Sequence, residues 1–280
     1  MEHKIDISVI STNDDDIPYE KLPITNDFIF GKVFGQRENC QELLRILLRD
    51  ETITIMQAES QQEFRSCSTA KDIRLDIHVR TINDDFDIEM QNETSPELFL
   101  RARYYQAMMD TQVLEKGKGY TSLPQNWIIF FITKDIFGRG LPVYTFRNCC
   151  EERKDLYLDD RTVKIFYNVS RWQEVQDRPT RELLHFISSE TVTNDFTRKL
   201  RKDADTARIN RDWRKTYMDA KMSRILWIEQ GMEQGIQMGI LQEKKNSVRK
   251  MLKSGCKETF IAECLELPVE TVRQWAAEED

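Results

Sequence analysis

The stretch Ile73-Arg74-Leu75-Asp76-Ile77-His78-Val79-Arg80, followed after Thr81–Asp85 by Phe86-Asp87-Ile88-Glu89-Met90-Gln91, decides the fold. Each half alternates with period two, the signature of a strand with unlike faces. Ile73, Leu75, Ile77 and Val79 fall on one face, and Phe86, Ile88 and Met90 continue it. Asp76, His78, Asp87, Glu89 and Gln91 fall on the other. The intervening Thr-Ile-Asn-Asp-Asp is turn-forming, so the two runs read as a hairpin. With Asn83-Asp84 as the tight turn, Ile82 faces Asp85, His78 faces Glu89 and Asp76 faces Gln91. Asp76 and Glu89 are then diagonal neighbours, roughly 7–8 Å apart. Two carboxylates and an amide at the centre of a sheet are costly unless they hold something, and a divalent cation is the natural candidate. The bland alternative is a hairpin with a solvated polar face.

Composition narrows the class. The chain has 280 residues and is 40% hydrophobic, enough for one large domain and an appendage. No apolar run approaches membrane-spanning length, and Met1–Asp6 does not read as a signal peptide, so a cytoplasmic protein with no membrane partner is expected. Six cysteines without Cys-x-x-Cys spacing suit reduced thiols. Three histidines argue against a histidine-built metal site, and a net charge of −7 confines any nucleic-acid contact to local patches.

Outward from the hairpin, residues 1–18 form a polar tail. Thr25-Asn26-Asp27 caps a helix carrying Phe28, Ile29, Phe30, Val33 and Phe34, and Asn39–Asp50 is amphipathic. A strand is expected near Thr52–Gln57, a helix from Ser95-Pro96 to about Lys116, and strands at Trp127–Thr133, Pro142–Phe146 and Thr162–Val169. These delimit a domain over 19–190. A charged helical extension follows over 191–246, then a small helix-turn-helix-like unit over 247–280. The basic stretch Arg198–Arg224 reads either as a solvated helical face or as a phosphate-contacting stripe. Gly231, Gly235 and Gly239 leave a flat stripe suited to a partner helix, framed by Trp227 and Met238, and point to a homodimer through the C-terminal helical region.

In this order the elements resemble the PD-(D/E)xK nuclease core. More closely, the chain is similar to the recombination-promoting nuclease/transposase family of that superfamily. The resemblance rests on Asn26-Asp27-Phe28-Ile29-Phe30 with Val33-Phe34-Gly35, then Leu75-Asp76, Ile88-Glu89-Met90-Gln91 and Arg101-Ala102-Arg103-Tyr104-Tyr105. Gly117, Tyr120 and Leu123-Pro124 complete it, over about residues 24–150. It implies an α/β fold of the restriction-endonuclease type, a mixed central sheet flanked by helices, with a helical C-terminal extension. It further implies an endonuclease acting on DNA, with catalytic residues Asp76, Glu89 and Gln91 and with Asp76, Glu89 and the Met90 carbonyl holding Mg²⁺ or Mn²⁺. Two positions depart from the motif: Leu75 replaces the proline, and Gln91 replaces the lysine. The second removes a positive charge, for which Arg101 or Arg103 is the candidate substitute. A catalytically weak nucleic-acid-binding or regulatory protein that keeps the nuclease fold is the alternative. His78 is expected beside the site without a chemical role, Glu42 on the surface, and Tyr104 and Tyr105 in the core.

Overall fold

The computed structural model describes residues 17–64 and 72–277. The expected tail therefore lies outside the described residues up to residue 16. The chain divides into two compact units, residues 1–214 and 215–280.

The first unit is built on a six-stranded mixed sheet in the order β1-β2-β3-β4-β6-β5. Its strands are β1 (Gln57–Phe64), β2 (Ile73–Arg80), β3 (Asp84–Gln91), β4 (Gln125–Ile132), β5 (Val143–Phe146) and β6 (Thr162–Asn168). The central β3, β4 and β6 are parallel, while β1, β2 and β5 run antiparallel to their neighbours. β4 matches a fully buried strand: Ile128 to Ile132 are all under 2% exposed. The strand expected near Thr52–Gln57 begins only at Gln57.

Helices cover both faces. α1 (Asp27–Phe34) starts where Asn26 Oδ1 accepts the N–H groups of Phe28 and Ile29, as the cap motif predicts. Phe30 packs edge-on against Phe131 of β4, with centroids 5.6 Å apart. α1 ends at Gly35, where a Cβ would lie 2.4 Å from the Gly31 carbonyl oxygen and 2.9 Å from Ser60 Cβ. Only glycine lets the helix end this close to β1. α2 (Arg37–Leu48) lies on the same side, since the Tyr167 hydroxyl of β6 donates to the Leu47 carbonyl. α4 (Arg178–Ser189) and α5 (Asp195–Ile209) complete this layer. On the other face, α3 (Leu98–Val113) buries Leu98, Ala102, Met108 and Met109 over Ile128, Phe130, Ile132 and Phe166. It begins three residues after the expected Ser95 start, and its N-cap residue Glu97 makes no side-chain cap.

The hairpin register differs from the expected one by two residues. His78 stands opposite Asp87 rather than Glu89, and Arg80 opposite Asp85. The turn is the reason. Thr81 N–H donates to the Asp84 carbonyl, and Thr81 Oγ1 accepts from Asn83 and Asp84 N–H, so the loop residues are Ile82-Asn83. A shift of two keeps every side chain on its face. Counting along the ladder, it brings Asp76 level with Glu89 instead of diagonal to it.

The basic stretch is largely consumed by ion pairs. Arg208 is buried, donating to the Leu22 carbonyl at 2.8 Å and pairing with Glu190 at 2.5 Å and Asp205 at 3.1 Å. Arg201 pairs with Glu190 and Asp205, Arg198 with Asp195, and Arg214 with Glu20. Arg208 therefore fastens α5 to the segment before α1 and is not available to phosphate. Arg208→Ala is expected to destabilise the fold by about 2 kcal/mol, because it takes a charged donor from the buried Leu22 carbonyl and leaves the mostly buried Glu190 carboxylate with Arg201 and the Ile24 N–H alone. Urea unfolding of the variant and the parent measures this.

The second unit holds all but the first four residues of α6 (Arg211–Lys253), followed by α7 (Glu258–Leu265) and α8 (Val269–Ala277). Val248, Ile261, Ala262, Val272 and Trp275 form its small core.

Candidate active site

Asp76 and Glu89 each accept a main-chain N–H from the facing strand. The Asp76 N–H donates to Glu89 Oε1 at 2.9 Å, and the Met90 N–H donates to Asp76 Oδ2 at 3.0 Å. These side-chain bonds take over where the β2–β3 main-chain pairing stops at Ile77↔Ile88. They hold two carboxyl groups side by side on adjacent strands. Each carboxylate keeps acceptor capacity, since two oxygens offer about four lone-pair sites.

The polar face is not solvated, because α3 lies over it. Glu89 is 4% exposed and Asp87 fully buried, while Asp76 remains partly open. Burial, reinforced by the Glu89 charge, holds the Asp76 carboxyl well above the usual carboxylate range; the Met90 N–H opposes this. Burial and then the Asp87 charge do the same to Glu89. Carboxylates packed this way bind a proton or a cation readily.

Gln91 lies at the end of β3 with its amide engaged at both ends. Its Nε2 donates to the Glu93 carbonyl, and its Oε1 accepts from the Arg101 guanidinium at 2.5 Å. Arg101 also lies 5.7 Å from the Tyr105 ring centroid and 5.9 Å from that of Phe130, the residue beside Glu89 in the β3–β4 register. Of the two candidate arginines, the fold brings Arg101 to the carboxylates and leaves Arg103 exposed. Tyr104 and Tyr105 pack against the cluster beneath α3. Glu42 is half-buried on α2. His78 is held away from Glu89, with Nδ1 on Gln62 Oε1 and Nε2 on Asp85 Oδ1 at 2.6 Å.

Asp87 is the residue that the sequence reading passed over. Both of its oxygens are buried, and no donor other than a protonated Glu89 carboxyl serves them. Burial, with the charges of Asp76 and Asp85, pushes its carboxyl well above the usual range. It lies close enough to Glu89 for the two to share a proton, which requires one of them to be neutral. A raised folded-state value means that this contribution to stability is present in acid and is lost as pH rises through that value. In EDTA, therefore, the melting temperature should fall from about pH 5 to 8, where the unfolded carboxyls are ionised. Asp87→Asn should flatten that fall and melt higher at pH 8, since its amide donates to Glu89 at any pH. Each kcal/mol recovered is worth about 2–4 °C at this size. Scanning calorimetry across the pH series measures both effects.

The donor set suits a hard divalent cation. Among the described residues no group of three or more His, Cys, Asp or Glu side chains is arranged to hold a metal ion. An ion here would rest on two carboxylates, a backbone carbonyl and water, which is how Mg²⁺ is commonly held.

A protein-family model described as PD-(D/E)XK nuclease family transposase matches residues 24–204. The match takes in the sheet, both carboxylates, Gln91 and Arg101, and the chain belongs to this family. No curated protein and no solved structure matches the chain.

Proposed function

We propose that the protein is a cytoplasmic, Mg²⁺- or Mn²⁺-dependent DNA endonuclease. The observation that carries this reading is the Asp76–Glu89 arrangement, a partly open and a buried carboxyl group side by side within a nuclease-family domain. Asp76, Glu89 and the Met90 carbonyl would hold the cation. When bound, the ion supplies charge stabilisation at the phosphoryl oxygen and acidifies a bound water. The Asp76 and Met90 N–H groups fix the carboxylate orientations, so little reorganisation is needed when the ion arrives. Arg101 supplies the positive charge that the missing motif lysine would bring, and Gln91 pins the guanidinium in place. One Gln91 N–H and one oxygen lone pair remain for a water or a phosphate oxygen. Phe130, Tyr105 and the body of α3 exclude bulk solvent from behind.

Supercoiled plasmid incubated with purified protein in Mg²⁺, Mn²⁺ or EDTA tests the proposal. Nicked or linear product with either metal and none in EDTA is expected. The second reading, a DNA-binding protein with weak or lost chemistry, draws on Gln91 in place of lysine. It predicts retarded but uncut plasmid under all three conditions.

A further inference from the structure

α6 spans 43 residues, yet Val248 is its only buried residue. From Met218 to Ile240 one face carries Met218, Met222, Ile236 and Ile240, 48–57% exposed, with Ile225 and Met232 half-buried among them and Leu226 and Ile228 at its two edges. These positions are not scattered. At 100° per residue the first six fall within an arc of about 80° on the helix. Met218, Met222, Ile225, Glu229, Met232 and Ile236 follow in steps of four and three, the 3.5-residue repeat of a coiled-coil seam. Glu229 is the one charged residue in this repeat.

We propose that this seam docks against the same seam of a second copy, with the two helices antiparallel. Charge along α6 favours that direction. Residues 211–224 carry Arg211, Lys215, Lys221 and Arg224, beside Arg214 paired with Glu20, against Asp212 and Asp219. Residues 225–243 carry Glu229, Glu233 and Glu243 and no lysine or arginine. A parallel pair sets like against like, whereas an antiparallel pair sets the basic end of each helix against the acidic end of the other. An antiparallel pair is also isologous and closes as a dimer.

The contact differs from the one the glycines suggest. A four-residue spacing drifts by about 40° per step, so Gly231, Gly235 and Gly239 slide across the flank of the seam. Nothing lies within 4 Å of a Cβ built on any of them. Trp227 and Met238 fall on the far side of the helix from Met218 and Ile236. The seam residues, not the glycines, are the contact.

Light scattering on the full chain, which does not depend on the nuclease reading, tests the proposal. Twice the chain mass is expected at micromolar concentration. Met222→Glu/Met232→Glu should give a monomer with the thermal transition of the nuclease-like domain unchanged, whereas Trp227→Glu/Met238→Glu should remain dimeric. Met218→Cys/Ile236→Cys, oxidised and digested, should yield the 218–236 crosslinked peptide between chains. A monomeric parent, a dimer that survives the Met222/Met232 variant, or a 218–218 crosslink overturns the proposal.

Discussion

Asp76→Asn is expected to lower Mg²⁺-dependent plasmid nicking by about 10³-fold or more, with the melting temperature held or raised. Losing a charged ligand removes several kcal/mol of transition-state stabilisation, and about 4 kcal/mol is a thousandfold in rate. The stability half of the expectation follows from the hydrogen bonds. The amide oxygen of the substituted side chain can still accept the Met90 N–H, and one of three crowded, buried carboxyls is gone. Asp76→Ala should be as inactive but less stable, because it leaves the Met90 N–H without its acceptor, at a cost of about 1–3 kcal/mol. Glu89→Gln should mirror Asp76→Asn through the Asp76 N–H. Calorimetric titration with Mn²⁺ supplies a readout apart from activity: both amide variants should bind the ion far more weakly. If Asp76→Asn nicks at the parental rate in protein free of contaminating nuclease, the metal site lies elsewhere.

How much of this was legible in the sequence depends on which interaction settles each feature. The period of two alone put Asp76 and Glu89 on one face, and it survives a register error of two. The register was not legible, because Asn83-Asp84 and Ile82-Asn83 are both plausible turns and the Thr81 hydroxyl decides between them. Alternation marked Asp87 as polar, but only the burial under α3 makes it an orphaned acid. Arg101 and Arg103 differ by about 200° around a helix, so their fates diverge once α3 docks, and docking is a tertiary event. The density of arginine over 198–224 looked like a surface until Glu190 and the Leu22 carbonyl claimed Arg208. Local pattern thus specified faces and the succession of elements along the chain, while partners across long sequence separations specified which polar groups are spent.

Arg101→Ala is expected to reduce turnover by about 10²–10³-fold, the range for removing one preorganised charged donor from a reacting centre. The test that separates a functional guanidinium from a structural one is to move the charge. Position 91 is where the superfamily motif carries lysine, and Arg101 reaches that same point from α3 through Gln91 Oε1. Gln91→Lys alone sets two cations against each other and removes the acceptor that holds Arg101, so it should gain nothing. Gln91→Lys combined with Arg101→Ala restores a single cation beside the carboxylates and should be more active than Arg101→Ala by about tenfold or more, since one preorganised charge is returned to the centre. Arg101→Lys should recover less, since a shorter side chain ending in a compact ammonium cannot reach Gln91 Oε1 while lying over the Tyr105 and Phe130 rings. A double variant no better than Arg101→Ala would mean that the guanidinium serves to hold α3 against the sheet, and that this site works without a cation at the position of the motif lysine.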